Sequence, residues 1–254
     1  MSRKTVALIE VTAFLTVFLV VSWYFQAIVP EYSGWYSKAI MILLALAGIA
    51  IHGRPRDYGL WPRNPKTTAK WSLVILTLFA VVDAALLTVT SGLGKVSLGG
   101  FLKAALWYYV FVGFSEELFF RGYVQSRLNE VFTRKYKRIF GVDYEWTQGT
   151  LITAVFFFSL PHLLVGVNPF AGTYRLNPEI AALAVFATVL GLAAGVLREK
   201  TGGVVLPAVL HGSVVFTGFG LSRAAGPIAS NLAVAVALCA FFALFFERIL
   251  REED

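Results

Sequence analysis

Eight long apolar runs are the feature that most constrains what this chain can fold into. A helix needs about 20 mostly apolar residues to cross a bilayer, at about 1.5 Å of rise per residue. The runs occupy residues 6–29, 32–51, 72–90, 101–122, 148–167, 180–197, 203–221 and 228–246. They predict an all-α polytopic membrane protein, with a bundle of about eight transmembrane helices forming a single domain over residues 1–254.

The composition of the chain supports this class. Hydrophobic residues make up 57% of the sequence and charged residues only 15%, against about 25% charged residues in soluble domains. These values exclude a disordered chain and an ordinary soluble enzyme. The single cysteine, Cys239, excludes an intrachain disulfide and a zinc site built from cysteines.

The basic residues predict how the helices are oriented. With a cytoplasmic N-terminus, sixteen Lys and Arg residues lie inside, five lie outside and Arg121 lies within a span. The outside five are Lys38, Lys95, Lys103, Arg175 and Arg223. This bias follows the positive-inside rule, so both termini are expected in the cytoplasm. The net charge of +7 is then an orientation signal, and no nucleic-acid partner is expected.

The same reasoning gives the expected location. The chain shows no organelle-targeting segment, which favours an integral, multi-pass protein of a prokaryotic plasma membrane. The longest polar stretch, residues 123–146, carries apolar residues at helical spacing with basic residues between them. This pattern predicts an amphipathic helix that lies on the cytoplasmic side of the membrane or extends the fourth span.

Five ionisable side chains stand out within the predicted spans: Glu116, Glu117, Arg121, His162 and His211. Each such group costs several kcal/mol in a membrane unless it finds a partner, so each needs a reason. Two of the three histidines in the chain are among them. This concentration predicts one shared polar site, inside a catalytic core at about residues 101–221, that opens toward the cytoplasm.

The two neighbouring glutamates have different surroundings. Glu117 and Arg121 are four residues apart, so they share a helix face and can form an ion pair. Glu116 points about 100° away and has no counter-charge on its own helix. Glu117 and Arg121 are therefore predicted to support the site, and Glu116 to act as a general base or acid. The alternative is that all three form one buried structural network.

Three segments resemble the motifs of the CPBP family, the CAAX prenyl protease and bacteriocin-processing membrane proteins. The resemblance covers residues 107–216, under half of the chain, and its motifs lie in order on the fourth, fifth and seventh spans. The matching segments are Glu116-Glu117-x-x-x-Arg121, Phe158-x-x-x-His162 and a Thr-Gly-Gly…Pro…His segment that ends at His211.

This resemblance implies an eight-helix, glutamate-dependent intramembrane protease. In the family, the first glutamate and the histidine of the second motif activate water, which implies these roles for Glu116 and His162. The third-motif histidine stabilises the oxyanion, which implies that role for His211. One departure is Val215, which stands where the family usually has asparagine. Because an oxyanion donor is worth about 3 kcal/mol, this departure favours a slow or non-proteolytic member.

The expected reaction is hydrolysis of a peptide bond near the cytoplasmic end of a membrane-anchored substrate, with or without a prenyl group. Glu116, His162 and His211 are also the ligand types of a His₂Glu zinc site. The His-Glu-x-x-His pattern of helical metalloproteases is absent from the sequence. No cofactor is therefore certain, and zinc stays open.

Two other functions fit parts of the sequence. A non-proteolytic membrane factor, for bacteriocin immunity or scaffolding, is favoured by Val215. A proton-coupled transporter uses buried carboxylates and histidines as relays, and it explains Asp83 in the third span. Partners expected in every case are the lipid bilayer and, for a protease, a membrane-anchored peptide. The sequence predicts no oligomeric state.

Overall fold

The computed structural model describes residues 1–252, and eight helices account for most of this part of the chain. Seven of them are long and apolar enough to cross a membrane, which confirms the predicted all-α polytopic class. The helices are α1 (Arg3–Ile28), α2 (Ser33–His52), α3 (Pro65–Val89), α4 (Leu98–Asn129), α5 (148–162), α6 (Pro178–Thr201), α7 (Val205–Ala225) and α8 (Pro227–Arg251).

The fifth predicted span is shorter than expected. α5 covers residues 148–162, and the chain then turns into a small hairpin, β3 (Val167–Asn168) and β4 (Thr173–Tyr174). Asn168 donates a hydrogen bond to the carbonyl of Trp23, near the far end of α1, at 3.0 Å. Residues 148–168 therefore pass from one face of the bundle to the other. Residues 1–252 thus cross the bundle eight times, and the fifth crossing is a short helix completed by extended chain.

The amphipathic helix predicted for residues 123–146 is wrong for most of its length. α4 continues to Asn129, and the rest forms a hairpin of β1 (Lys135–Ile139) and β2 (Val142–Thr147). Phe140 and Gly141 make the turn with φ of 48° and 85°, the geometry that two-residue hairpin loops require. The apolar residues that looked helical are divided between the end of α4 and two strands.

Asparagine–proline pairs set the start of two helices. Asn64 accepts a hydrogen bond from the Thr67 amide at 3.1 Å, and Pro65 follows it. Asn177 accepts from the Ile180 amide at 2.9 Å, and a proline again comes next. Both are N-caps with proline in the first turn. α3 therefore begins seven residues before the predicted start at residue 72.

Both ends of the described chain lie on the same face of the bundle, which we name the terminal face. Near the start of α1, Glu10 pairs with Arg127 of α4 at 2.8 Å and with His52 of α2 at 2.7 Å. Beyond the end of α8, Glu252 pairs with Lys70 of α3 at 2.9 Å. The end of α1 and the start of α2 lie on the opposite face.

α4 and α7 pack closely at the centre of the bundle. A Cβ atom placed on Gly113 of α4 would lie 2.9 Å from the backbone of Gly212 of α7, so only glycine permits this approach. α4 is α-helical at Ser115–Glu117 and π-helical on both sides, at Leu106–Phe114 and Leu118–Gln125. π-Helical turns are frequent at functional sites, and here they flank the two glutamates that face α7.

Candidate active site

Glu116 has a counter-charge that comes from another helix. The ammonium group of Lys38, on α2, forms an ion pair with Glu116 Oε1. The two side chains are 16% and 14% exposed, so both are largely screened from solvent without being sealed off. The prediction that Glu116 lacks a counter-charge on its own helix is correct, but its carboxylate is paired across 78 positions of sequence.

His162 is held by the backbone of its own helix. Its Nδ1 lies 2.7 Å from the carbonyl oxygen of Phe158. Since a carbonyl oxygen only accepts, Nδ1 carries the proton and donates it, which leaves Nε2 as an acceptor. The Phe158 ring contacts both imidazoles, with centroid distances of 5.0 Å to His162 and 5.8 Å to His211. This ring fixes the spacing of the two histidines.

Glu116, Lys38 and His162 line one cavity of about 310 Å³, and we name these three residues the cavity cluster. The cavity is large enough for several water molecules. Its wall is polar in part and apolar in part. The other lining residues are Phe18, Leu19, Ser22, Trp23, Gln26, Ser33, Gly34, Ser37, Met41, Phe120, Phe158, Pro161, Leu164 and Val165.

Behind the cavity lies a second group of three ionisable residues, Glu117, Arg121 and His211, which we name the buried cluster. Glu117 Oε1 accepts hydrogen bonds from Arg121 Nη1 and from His211 Nδ1, both at 2.8 Å. Glu117 and Arg121 have no exposed surface, and His211 is 4% exposed. Arg121 also donates to the carbonyl of Gly191 at 3.2 Å and lies over the Phe158 ring. These contacts tie α4, α5, α6 and α7 together.

The structure brings the five predicted residues together in two layers. Glu116 and His162 line the cavity, whereas Glu117, Arg121 and His211 do not. The layers meet where His211 Nε2 lies 3.7 Å from Glu116 Oε2, a distance suited to an electrostatic contact and too long for a hydrogen bond. No direct hydrogen bond joins His162 to Glu116 within the described chain.

Helix positions place the cavity cluster about 20 Å from the terminal ends of its helices. Glu116 is 13 residues before the end of α4, and Lys38 is 14 residues before the end of α2. His162 is 14 residues after the start of α5, and each residue adds about 1.5 Å. The fourth predicted span ends at residue 122, whereas α4 continues to Asn129, so Glu116 lies deeper than the predicted bounds imply and at a depth similar to that of His162.

The lining of the cavity extends toward the face opposite the terminal face. The cavity is lined by Gln26 near the end of α1, Gly34 near the start of α2 and Val165 beyond α5. All three are at the face opposite the terminal face. The site was predicted to open toward the cytoplasm, on the side of both termini, whereas these three lining residues lie on the side of the bundle away from the termini.

The residues do not fit a zinc site. In residues 1–252 no group of three His, Cys, Asp or Glu side chains is arranged to hold a metal ion. Glu116 is occupied by the Lys38 ammonium, a cation that would repel a metal at the same oxygen. No step of the mechanism below passes through a metal.

Asp83 has a structural partner away from this cavity. Thr217 of α7 donates a hydrogen bond to Asp83 Oδ1 at 2.7 Å, and both residues are buried. This interhelical hydrogen bond accounts for a carboxyl group in the third helix. It removes the observation that favoured a transporter.

Sequence reasoning missed Lys38 as a site residue. Lys38 lies within the second predicted span, residues 32–51, but was counted among the basic residues outside the membrane. α2 begins at Ser33, so Lys38 lies five residues inside the helix. A lysine inside a span needs a partner, and this was the available signal.

The fold is that of a polytopic membrane protein. Its candidate site places a carboxylate, an ammonium group and an imidazole around one cavity inside the helix bundle. Residues 98–217 match the model of a protein family described as type II CAAX prenyl endopeptidase Rce1-like. The match runs from α4 into α7 and includes Glu116, His162 and His211. It confirms, over these residues, the predicted resemblance to the CAAX-type membrane proteases of the CPBP family. No curated protein and no solved structure matches the chain significantly.

Proposed function

We propose that this protein hydrolyses a peptide bond of a membrane-anchored substrate in the cavity lined by Glu116, Lys38 and His162. The observation that supports the proposal is their convergence on one cavity of about 310 Å³. A carboxylate that reaches such a cavity can take a proton from water. The hydroxide that forms attacks the carbonyl carbon of the substrate.

In this mechanism His162 orients the water. Its Nδ1–H is committed to the Phe158 carbonyl, so its Nε2 accepts a hydrogen bond from one water proton. Glu116 removes the other proton. The two acceptors lie on different helices, α4 and α5, which pack against each other through the rings of Phe120 and Phe158. A water held between them has its lone pair free to attack.

Lys38 takes the role of oxyanion stabiliser. Before the reaction its ammonium group is paired with the Glu116 carboxylate. When Glu116 accepts the proton, that pairing weakens at the moment when negative charge develops on the substrate oxygen. The ammonium group then stabilises the oxyanion, so one negative charge replaces another beside the same cation. Among residues 1–252, Lys38 is the only Lys or Arg that lines the cavity.

The second proton transfer completes the reaction. Protonated Glu116 donates its proton to the leaving amine nitrogen, the C–N bond breaks, and a new carboxyl group and a new amine are released. His211 contributes an electrostatic contact to Glu116, since its Nε2 lies 3.7 Å from Glu116 Oε2. It does not line the cavity, so the role of oxyanion donor that the resemblance implied for it passes to Lys38.

The cavity wall supports a substrate with an apolar anchor. The cavity that Glu116 lines is also lined by Phe18, Leu19, Met41 and Phe120, so a lipid chain or an apolar helix end can rest there while the peptide bond reaches the carboxylate. A prenyl group is one such anchor. Comparing a farnesylated peptide with its unmodified form, at equal concentration, tests this part of the proposal, and equal values of kcat/KM would contradict it.

The proposed substrate enters from the face opposite the chain ends. If the positive-inside rule places those ends in the cytoplasm, the cavity opens on the other side of the membrane. A membrane-impermeant maleimide, applied to intact cells after Cys239→Ala, tests this orientation. It should label Glu31→Cys and leave Lys137→Cys unlabelled, and the reverse pattern would overturn the proposed side of entry.

The catalytic proposal is tested with purified protein and a fluorogenic farnesylated peptide. We expect Glu116→Gln to lower kcat by about 10²–10⁴-fold, the contribution of a general base, without a loss of folded protein. The matched control is Glu179→Gln, which makes the same change at an exposed carboxylate. Undiminished turnover in Glu116→Gln would exclude Glu116 as the base. Absence of turnover in the wild type with every membrane-anchored peptide would favour a non-proteolytic membrane factor.

A further inference from the structure

A second cavity lies on the terminal face, far from the cavity cluster. Its volume is about 500 Å³. It is formed by the loop between α2 and α3 and by the end of α6. Its lining residues are Arg56, Asp57, Trp61, Pro62, Arg63, Arg198 and Gly202. Three of these seven residues are arginines, and neither the family match nor the proposed reaction gives them a role.

Arg198 is the arginine that has to be explained. It is 7% exposed, so its charge is almost entirely removed from water. Its Nη2 donates to the backbone carbonyl of Asp57 and to the hydroxyl of Ser126, the latter at 2.7 Å. Its Nε is buried and has no acceptor within the described residues. Within residues 1–252 no carboxylate forms a direct ion pair with this guanidinium, although Glu199 and Asp57 interact with its charge through space, and a buried cation without a paired carboxylate is costly.

The other two arginines add to the positive charge of the cavity. Arg56 and Arg63 are exposed. Arg63 donates to the carbonyl of Glu199 at 3.4 Å, and Arg56 makes no hydrogen bond or ion pair within residues 1–252. The one carboxylate in the lining, Asp57, is 66% exposed and lies 3.9 Å from Arg54 outside the cavity. The lining therefore carries a net charge of about +2.

The backbone shapes this cavity and holds it open. Gly202 has φ of 69°, and a Cβ atom there would lie 2.5 Å from Cγ of Arg63. A larger residue at this position would therefore clash with the Arg63 side chain. Two backbone hydrogen bonds attach the loop to the α6–α7 connection, from the Arg63 amide to Thr201 at 2.9 Å and from the Val204 amide to Gly59 at 3.0 Å. The cavity is a built feature of the fold.

Tyr58 anchors the same loop to the end of α4. It is fully buried, and its hydroxyl donates to Glu130 Oε1 at 3.0 Å. Burial and the neighbouring Glu130 carboxylate raise the pKa of the Tyr58 phenol, so the hydroxyl remains a donor at every physiological pH. The loop therefore keeps its shape, and the arginines keep their spacing, without a ligand.

We propose that this cavity binds a negatively charged phosphate group, as carried by an anionic phospholipid at the membrane surface. Guanidinium groups bind phosphate oxygens in pairs, and Arg56, Arg63 and Arg198 place three guanidinium groups in the lining of one cavity. Basic cavities between transmembrane helices are suited to lipid head groups. Trp61 is 71% exposed beside the arginines, as expected for a side chain at the membrane interface.

The test uses full-length protein in detergent and three probes: dioctanoyl-phosphatidylglycerol, dioctanoyl-phosphatidylcholine and inorganic phosphate. Binding is measured by titration calorimetry. We expect saturable binding of phosphatidylglycerol that weakens with added salt and is stronger than binding of phosphatidylcholine. Arg56→Gln combined with Arg63→Gln should weaken it by about thirtyfold. The matched control, Lys137→Gln, removes an exposed charge from the hairpin on the same face.

Two outcomes support the proposal and identify the source of the phosphate group. Binding of phosphatidylglycerol without competition from inorganic phosphate assigns the cavity to a lipid head group. Equal competition by inorganic phosphate assigns it to a soluble phosphate. The proposal is overturned if the double variant binds both probes as tightly as the wild type, or if Lys137→Gln weakens binding to the same degree. Both arginines are exposed, so the double variant is expected to fold, and its thermal unfolding checks this.

Discussion

Glu116 and Glu117 are neighbours in the chain, yet they belong to two regions with opposite properties. Glu116 lines a cavity, is 14% exposed and is paired with Lys38, which also reaches that cavity. Glu117 is fully buried and holds Arg121 and His211 in a group closed to solvent. One step of about 100° around α4 separates the two environments.

The comparison shows what makes a buried acid available for chemistry. Both carboxylates have a cation beside them, so the presence of a counter-charge does not separate their roles. Access to a cavity does, because a proton can be exchanged with water or substrate only where these reach the carboxylate. The buried cluster instead joins four helices at the point where the cavity needs a rigid wall.

The largest effect is expected from Glu117→Gln. This change leaves the Arg121 guanidinium buried without its carboxylate, which costs about 3–5 kcal/mol. Chemical denaturation in detergent measures the loss. The double variant Glu117→Gln with Arg121→Met removes both charges and should recover most of the stability. A single variant as stable as the wild type would show that the buried cluster does not stabilise the bundle.

Lys38→Met tests the cavity cluster by removing the cation that is paired with Glu116. We expect kcat to fall by about 10²–10³-fold, the effect of losing one oxyanion donor, while the unfolding midpoint changes little. Lys103→Met, at an exposed position of α4, is the control. An increase in kcat would mean that Lys38 restrains Glu116 in the resting protein and does not stabilise the oxyanion.

Gly113→Ala sharpens the comparison by disturbing the close packing of α4 on α7, the two helices that carry Glu116, Glu117 and His211. The added Cβ would lie 2.9 Å from the carbonyl oxygen of Ala208 and from the backbone of Gly212, so α4 and α7 must separate. Overpacking of this kind costs about 1–3 kcal/mol, and the shift should also reduce turnover. Gly99→Ala, earlier in α4 with no atom within 4 Å of the added Cβ, should change neither quantity.

The smallest effect is expected at the terminal face, at Glu252. Hydrogen bonds from Lys70 and then Trp71 lower the pKa of its carboxyl group. A lowered pKa stabilises the fold above the ordinary value, and this contribution is lost as the pH falls through the lowered value. Glu252→Gln should therefore cost less than about 1 kcal/mol at neutral pH. A difference in unfolding midpoint from the wild type that persists in acid would contradict this reading.

Much of the fold could be predicted from local patterns. Seven of the eight apolar runs became long helices, because their signal lies within about 20 consecutive residues. The ion pair of Glu117 with Arg121 depends only on helical spacing. The hairpin of β1 and β2 also had a local signal, since buried Val142 and Trp146 alternate with exposed Asp143 and Glu145. Helical spacing of the apolar residues obscured it.

The remaining features depend on tertiary contacts that no local pattern contains. Lys38 meets Glu116 across 78 positions, and His211 meets Glu117 across 94. Both contacts require that α2 and α7 pack on the same turn of α4. The direction in which the cavity opens depends on where α1 ends and α2 begins. The family match covers residues 98–217 and so leaves out α1 and α2, which supply Lys38 and part of the cavity wall.

The most direct test of the account is hydrolysis in ¹⁸O-labelled water, with wild type and Glu116→Gln compared by mass spectrometry of the products. If Glu116 activates water, the wild type places one ¹⁸O atom in the new carboxyl group, and Glu116→Gln forms this product about 10²–10⁴-fold more slowly. Cleavage by the variant at the wild-type rate, or wild-type product without ¹⁸O, would contradict the account.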